Sequence, residues 1–181
     1  MKVETTPLEG LIVLRPNVFR DARGWFLESF NERTVEEAIG RLPRFVQDNE
    51  SLSQTGVLRG LHFQADPHAQ AKLVRVVSGA VLDVCVDIRP ASPTFGKHYK
   101  LVLDGEEKTM LYIPEGFAHG FRTLADNTIF SYKCTAFYAP SAERCILWND
   151  PALAIDWGIS DPVISNKDRA GTPFATLVRT N

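Results

Sequence analysis

The chain has 181 residues, enough for one domain with a sizeable core. Its hydrophobic share of 44% and charged share of 23% are those of a soluble globular protein. A formal net charge of −2 gives no global basic field for nucleic acid or an anionic membrane, so any anionic ligand must be held by a few placed Arg and Lys.

No stretch is long and apolar enough to suggest a membrane span. The opening MKVETTPLEG lacks the apolar centre of a secretory signal. The three cysteines, Cys85, Cys134 and Cys145, are widely spaced and form no CxxC, which argues against a disulfide framework or a zinc site. Cys85 and Cys134 fall in apolar strand patterns and read as small core hydrophobes. The expected compartment is the cytoplasm.

In chain order, LIVLRP and WFLESF read as strands on either side of a turn at Asp21 to Gly24. TVEEAIG, Thr34 to Gly40, reads as a helix with a glycine stop. VLRGLHF, KLVRVV, AVLDVCVDIRP, YKLVL, MLYIP, TIFSYKCT and CILWND follow as strands, and turn signals stand between them at Ser78-Gly79, Pro90 to Gly96, Asp104-Gly105, Glu115-Gly116 and Asp126-Asn127. ISNKDR reads as a helical turn. Many short strands with frequent turns predict a single mainly β domain, a sandwich or barrel with a few short helices. In AVLDVCVDI, alternation puts Ala80, Leu82, Val84, Val86 and Ile88 on a core face. Val81, Asp83, Cys85 and Asp87 share the other face, where Asp87 is expected in solvent and Asp83 either in solvent or in a wet cavity.

Of the four histidines, His68 and His98 lie in polar or Pro/Gly loops and read as solvated. His62, in RGLHFQ, and His119, in PEGFAHGF, each sit in an apolar run beside a glycine. Imidazole has an ordinary pKa of about 6.5, which suits general base work near neutral pH. Such a base needs a partner on its second ring nitrogen, and Asp168 and Asp83 are both candidates. Lys72, opening KLVRVV, offers an ammonium to a developing oxyanion. Tyr132, alternating with Thr128, Phe130 and Cys134, offers a general acid. An imidazole, an ammonium and a phenol together suit proton transfer next to a carbonyl. Arg23 and Arg59 are candidate phosphate ligands. Strict alternation separates Arg59 from His62, and a bulge at Gly60 would bring both to one side.

Metal chemistry is the main rival. PEGFAH resembles the second cupin motif, but the first motif region reads His62-Phe63-Gln64, with Gln where a second His would stand. Two histidines without acidic or thiolate company make a poor first shell, so no metal is expected.

Together, VFRDARGWFLESF, FVQDNESLSQTGVLRGLHFQ, KLVRVVSGAVLDVCVDIR, YIPEGFAHGF, YKCT, YAPSAER and WNDPALAIDW resemble the dTDP-4-dehydrorhamnose 3,5-epimerase family of metal-free cupins almost end to end. The resemblance implies a cupin-type jelly roll over residues 1–181, with no cofactor. Its substrate would be dTDP-4-dehydro-6-deoxyglucose. It implies His62 as the base at C3 or C5, oriented by Asp168, with Asp161 as the alternative partner. Lys72 would stabilise the C4 enolate and Tyr132 would return a proton from the opposite face. His119 and Asp83 would form a second dyad in the cavity, with His119 also touching substrate. Arg59, Gln47 and Asn49 would hold the nucleotide diphosphate, with Tyr138 and Glu143 nearby. Phe19, Arg23 and Glu28 would complete that site, reaching it from the neighbouring subunit of a homodimer. Other readings are a C3-only or C5-only epimerase, a ketoisomerase of a related branch, or a silent sugar-nucleotide-binding cupin.

Overall fold

The computed structural model describes residues 1–41 and 43–177. Among these, fourteen strands and three short helices form two facing sheets and a hairpin. The strands are β1 (Lys2–Thr5), β2 (Ile12–Arg15), β3 (Val18–Asp21), β4 (Gly24–Leu27), β5 (Gln47–Ser53), β6 (Val57–Gln64) and β7 (Lys72–Ser78). They continue as β8 (Ala80–Asp87), β9 (His98–Asp104), β10 (Met110–Ile113), β11 (Phe117–Thr123), β12 (Thr128–Cys134), β13 (Glu143–Cys145) and β14 (Val163–Ile164). The helices are α1 (Glu32–Ile39), α2 (Asn166–Arg169) and α3 (Phe174–Leu177).

One sheet runs β1-β2-β10-β7-β12-β5 and the other β13-β6-β11-β8-β9, with β14 added in parallel beside β6. The expected mainly β sandwich of the cupin type is therefore present. Between the sheets, Val74, Val76, Leu111 and Phe130 from the first meet Val81, Leu103, Phe117 and Phe121 from the second. The outer face of the second sheet is also dry: Leu58, Leu61, Val84 and Val86 pack under Ile146, Leu153, Trp157 and Phe174 of the C-terminal segment. Helix α1 covers the first sheet through Val35, beside Leu14, Leu73 and Met110. Asn31 caps this helix by accepting from the Thr34 N–H at 3.2 Å. Gly40 ends it at φ +73°, a conformation that glycine adopts without steric cost.

On the expected core face of β8, Val84 and Val86 are buried and Ala80, Leu82 and Ile88 are partly so, while the opposite face is the barrel interior and not solvent. Asp87 corrects the expectation: it is 0% exposed. Its carboxylate accepts from Arg89 at 2.7 and 2.9 Å, from Ser92 at 2.5 Å and from Thr94 at 2.6 Å. Burial alone would raise its pKa. The hydrogen bonds from Arg89, Ser92 and Thr94 outweigh burial and bring it down to about 2 from an ordinary 3.8. A depressed folded-state pKa stabilises the protein above the unfolded value, and that stabilisation is lost as pH falls through the folded value. Asp87→Asn is therefore expected to cost about 2 kcal/mol near neutrality, on the scale of 1.4 kcal/mol per pKa unit. The deficit should shrink between pH of about 4 and about 2, which urea unfolding at several pH values checks.

The expected bulge at Gly60 is present. Between the pairs His62↔His119 and Arg59↔Phe121, β6 has two residues against the single Gly120 of β11. Gly60 has φ +120°, and a Cβ there would lie 2.5 Å from Gly120 Cα and 2.8 Å from the His119 carbonyl oxygen. Only a glycine pair permits this backbone approach. Gly60→Ala should destabilise by about 2–4 kcal/mol, combining backbone strain with a contact that only a backbone shift relieves. An unchanged denaturation midpoint would contradict this account.

Candidate active site

The bulge turns both Arg59 and His62 into a cavity of about 730 Å³ between the sheets. His62 on β6 and His119 on β11 come from the second sheet, where they are cross-strand partners. Lys72 on β7 and Tyr132 on β12 come from the first sheet, on adjacent strands whose register pairs Lys72 with Cys134. A ligand in the cavity thus has imidazoles on one side and an ammonium and a phenol on the other.

His62 Nε2 lies 2.5 Å from Asp168 Oδ1. Asp168 is 3% exposed and is held on α2, whose N-cap Ser165 accepts from the Asp168 N–H at 3.1 Å. The Gly60 N–H reaches the other carboxylate oxygen at 3.4 Å. Burial alone would raise the Asp168 pKa, but the hydrogen bond and charge of His62 outweigh it and keep the carboxyl below its ordinary range. The geometry thus pairs His62 with Asp168, and neither Asp161 nor Asp83 takes that place. Asp83, 1% exposed, pairs instead with His119, whose Nε2 lies 2.8 Å from Asp83 Oδ2. Asp83 therefore lies neither in solvent nor on the cavity wall; it is buried behind His119 as its partner.

Lys72 makes no hydrogen bond or ion pair among the described residues; its Nζ stands 5.9 Å from the centre of the Tyr132 ring. Burial lowers its pKa, opposed by the thiols of Cys134 and Cys85 and the carboxylates of Asp83 and Glu143. An ammonium without a protein anion on it is available to a ligand oxygen. Burial raises the Tyr132 pKa, which keeps the phenol protonated and able to donate.

A second cavity of about 220 Å³ holds Gln47, Asn49 and Tyr138, and shares His62, Lys72, Tyr132 and Glu143 with the first. Gln47 Nε2 donates to Asn49 Oδ1 at 3.0 Å, and Gln47 Oε1 accepts from the Tyr138 N–H at 2.8 Å. Arg59 is aimed by Ser53 Oγ at 3.1 Å and by the Leu52 carbonyl at 3.4 Å. Lys167 is a cavity residue that the sequence reading did not single out. Its Nζ donates to Glu143 Oε1 at 2.8 Å, while Tyr138 Oη donates to Glu143 Oε2 at 3.0 Å. Its signal was its place beside Asp168 in NKDR, which puts an ammonium at the same rim.

Phe19, Arg23 and Glu28 do not reach these cavities within one chain. Phe19 and Arg23 line a separate concavity on the β3–β4 hairpin, where Arg23 is tied to Asp21 at 2.5 Å. Glu28 accepts from Asn31 at 3.1 Å. The hairpin's Phe19, Trp25 and Phe26 are 63%, 50% and 68% exposed.

The supposed isolation of the histidines needs correction. Each has a carboxylate and a thiol beside it: Asp168 and Cys145 for His62, Asp83 and Cys85 for His119. Among the described residues the two histidines nonetheless fall in separate donor groups and do not converge on one cupin-type position. The two Nε2 atoms face separate carboxylates. Gln64, at the second position of the first motif, spends its amide on the backbone of His68, Phe137 and Ala139.

The family profile described as dTDP-4-dehydrorhamnose 3,5-epimerase matches residues 5–176. A protein of that name from Shigella flexneri is 52% identical over 174 residues, spanning 96% of each chain. The crystal structure of the epimerase from Legionella pneumophila in complex with dTDP-4-keto-L-rhamnose is similar at a TM-score of 0.92 and 46% identity, covering 97% of this chain and 96% of that one. A 3'-monoepimerase from Streptomyces bikiniensis in complex with dTDP-quinovose is similar at a TM-score of 0.91 and 35% identity, covering 96% and 88%. The chain belongs to the dTDP-4-dehydrorhamnose 3,5-epimerase family.

Proposed function

We propose that the protein epimerises C3 and C5 of dTDP-4-dehydro-6-deoxyglucose to give dTDP-4-dehydro-L-rhamnose. The observation that carries this reading is the placement of His62 and Tyr132 on facing sheets around one cavity, with the Lys72 ammonium on the phenol's side. His62 takes the proton next to the C4 ketone, and Asp168 stabilises the imidazolium that forms. The electron pair moves onto the C4 oxygen, where Lys72 stabilises the enolate. Tyr132 delivers a proton to the opposite face, which inverts the carbon. C3 and C5 both flank the ketone, so one oxyanion site serves both. Arg59 binds the diphosphate, with Gln47, Asn49, Tyr138 and the Glu143–Lys167 pair in the adjoining cavity.

A homodimer fits this reading. The exposed aromatic hairpin bearing Phe19 and Arg23 has the composition of a surface buried by a second copy, and would bring those residues to the partner's nucleotide. Cys85, Cys134 and Cys145 are free thiols, which agrees with a reducing, cytoplasmic setting.

The likeness to a monoepimerase supports a second reading, inversion at C3 alone. Incubation with dTDP-4-dehydro-6-deoxyglucose in deuterated water, followed by mass spectrometry, separates the two. Deuterium at two carbons with inversion at both is expected, and a single labelled carbon supports the second reading. No incorporation at all would leave a sugar-nucleotide-binding protein without turnover.

A further inference from the structure

Cys145 on β13 is the cross-strand neighbour of His62. Its Sγ lies 3.7 Å from Asp168 Oδ1, the oxygen that also meets His62 Nε2. The three donor atoms lie within 4.8 Å of one another. They come from three elements, β6, α2 and β13, each fixed by its own pairing or cap. One imidazole nitrogen, one carboxylate oxygen and one thiol sulfur make a borderline-soft, three-donor set that suits a tetrahedral ion with one open position. His62 and Asp168 line the cavity, so that position faces a route of entry.

We propose that His62, Asp168 and Cys145 form an inhibitory site for a thiophilic divalent cation such as zinc. The ion takes the place of the proton on His62 Nε2, which moves to Nδ1 and fills the lone pair a base would use, and it displaces the proton of the Cys145 thiol. It forms N–metal, O–metal and S–metal bonds without any change of oxidation state, and one proton leaves per ion bound. The imidazole is then held by the metal on the face through which Asp168 otherwise orients it. Of the three cations lining the cavity, Lys167 is neutralised by Glu143. Arg59, bonded to the neutral Ser53 hydroxyl and Leu52 carbonyl, and Lys72 remain as charges that oppose entry. The second His–Asp–Cys group, Asp83, Cys85 and His119, is buried at all three residues and serves as an internal comparison. None of this depends on which sugar carbon reacts.

The test uses the full-length protein stripped with chelator and titrated with cobalt(II). The expected result is a near-ultraviolet thiolate-to-cobalt band that saturates at one ion per chain and is abolished by added zinc. The band should vanish in Cys145→Ser and in Cys145→Ala, and persist in Cys85→Ala. Zinc inhibition of solvent exchange into substrate should weaken at least about tenfold in the Cys145 variants, the scale on which even outer ligand partners act. Absence of a thiolate band in the wild type overturns the proposal, as does a band that survives both Cys145 substitutions.

Discussion

His62→Ala is expected to lower kcat by about 10²–10⁴-fold, the range for loss of a positioned general base. Affinity for dTDP should stay close to wild type. The two halves of this expectation come from different parts of the site. His62 meets Asp168 at one end of the cavity, whereas Gln47, Asn49 and Tyr138 lie on other elements and Arg59 lies three residues earlier on β6, and none of them owes its hydrogen bonds to the imidazole. The substitution also leaves Asp168 buried without its partner, though still held by Gly60, Ser165 and Cys145. Thermal unfolding should accompany the kinetics, so that a local loss is not confused with a global one. Isothermal titration with dTDP and a coupled turnover assay check the two halves. Wild-type turnover by His62→Ala would remove the base from its role.

Much of this arrangement was legible in the sequence, and the rest was hidden for identifiable reasons. Apolar runs rich in β-branched residues, such as β7 and β8, announce themselves because both of their faces meet packed layers. The strand β5, QDNESLS, does not, because it is a polar edge strand whose Gln47 and Asn49 face a cavity and not the core. Polar residues of low strand propensity hide such a strand from any periodicity argument. CILWND reads as a strand, but only its first residue is in β13; the remainder leaves the sheet to bring Ile146 and Trp148 onto the outer face of the second sheet. Asp87 illustrates a different gap. A carboxylate on the second face of β8 reads as solvated until the Arg89, Ser92 and Thr94 donors, all beyond the strand, fold back onto it. The His62–Asp168 pair spans 106 positions, so chain spacing alone could not choose between Asp168 and Asp83. Family resemblance supplied that choice, and the N-capped turn of α2 supplies its physical cause.

Tyr132→Phe is expected to uncouple proton removal from inversion. The ring would keep its place, because it packs beside Phe130 at 6.1 Å between centroids and its hydroxyl makes no hydrogen bond among the described residues. His62, Asp168 and Lys72 are untouched, so deprotonation and enolate formation continue. The enolate then lacks its donor on the opposite face, and the imidazolium of His62 remains on the face that was deprotonated. It returns the proton, or a solvent deuteron, to the side it came from. The expected outcome in deuterated water is substrate that gains deuterium at C3 or C5 with retained configuration, and inverted product formed at least about 10²-fold more slowly than by wild type, the lower bound for loss of a general acid. Burial holds the wild-type phenol protonated and lowers the Lys72 pKa, so an alkaline fall in the inversion rate should come first from loss of the Lys72 ammonium and not from Tyr132. Nuclear magnetic resonance of the sugar region distinguishes retained from inverted label position by position. If Tyr132→Phe leaves the ratio of exchange to inversion unchanged, the proton on the second face has another source, and the facing-sheet arrangement no longer explains the stereochemistry.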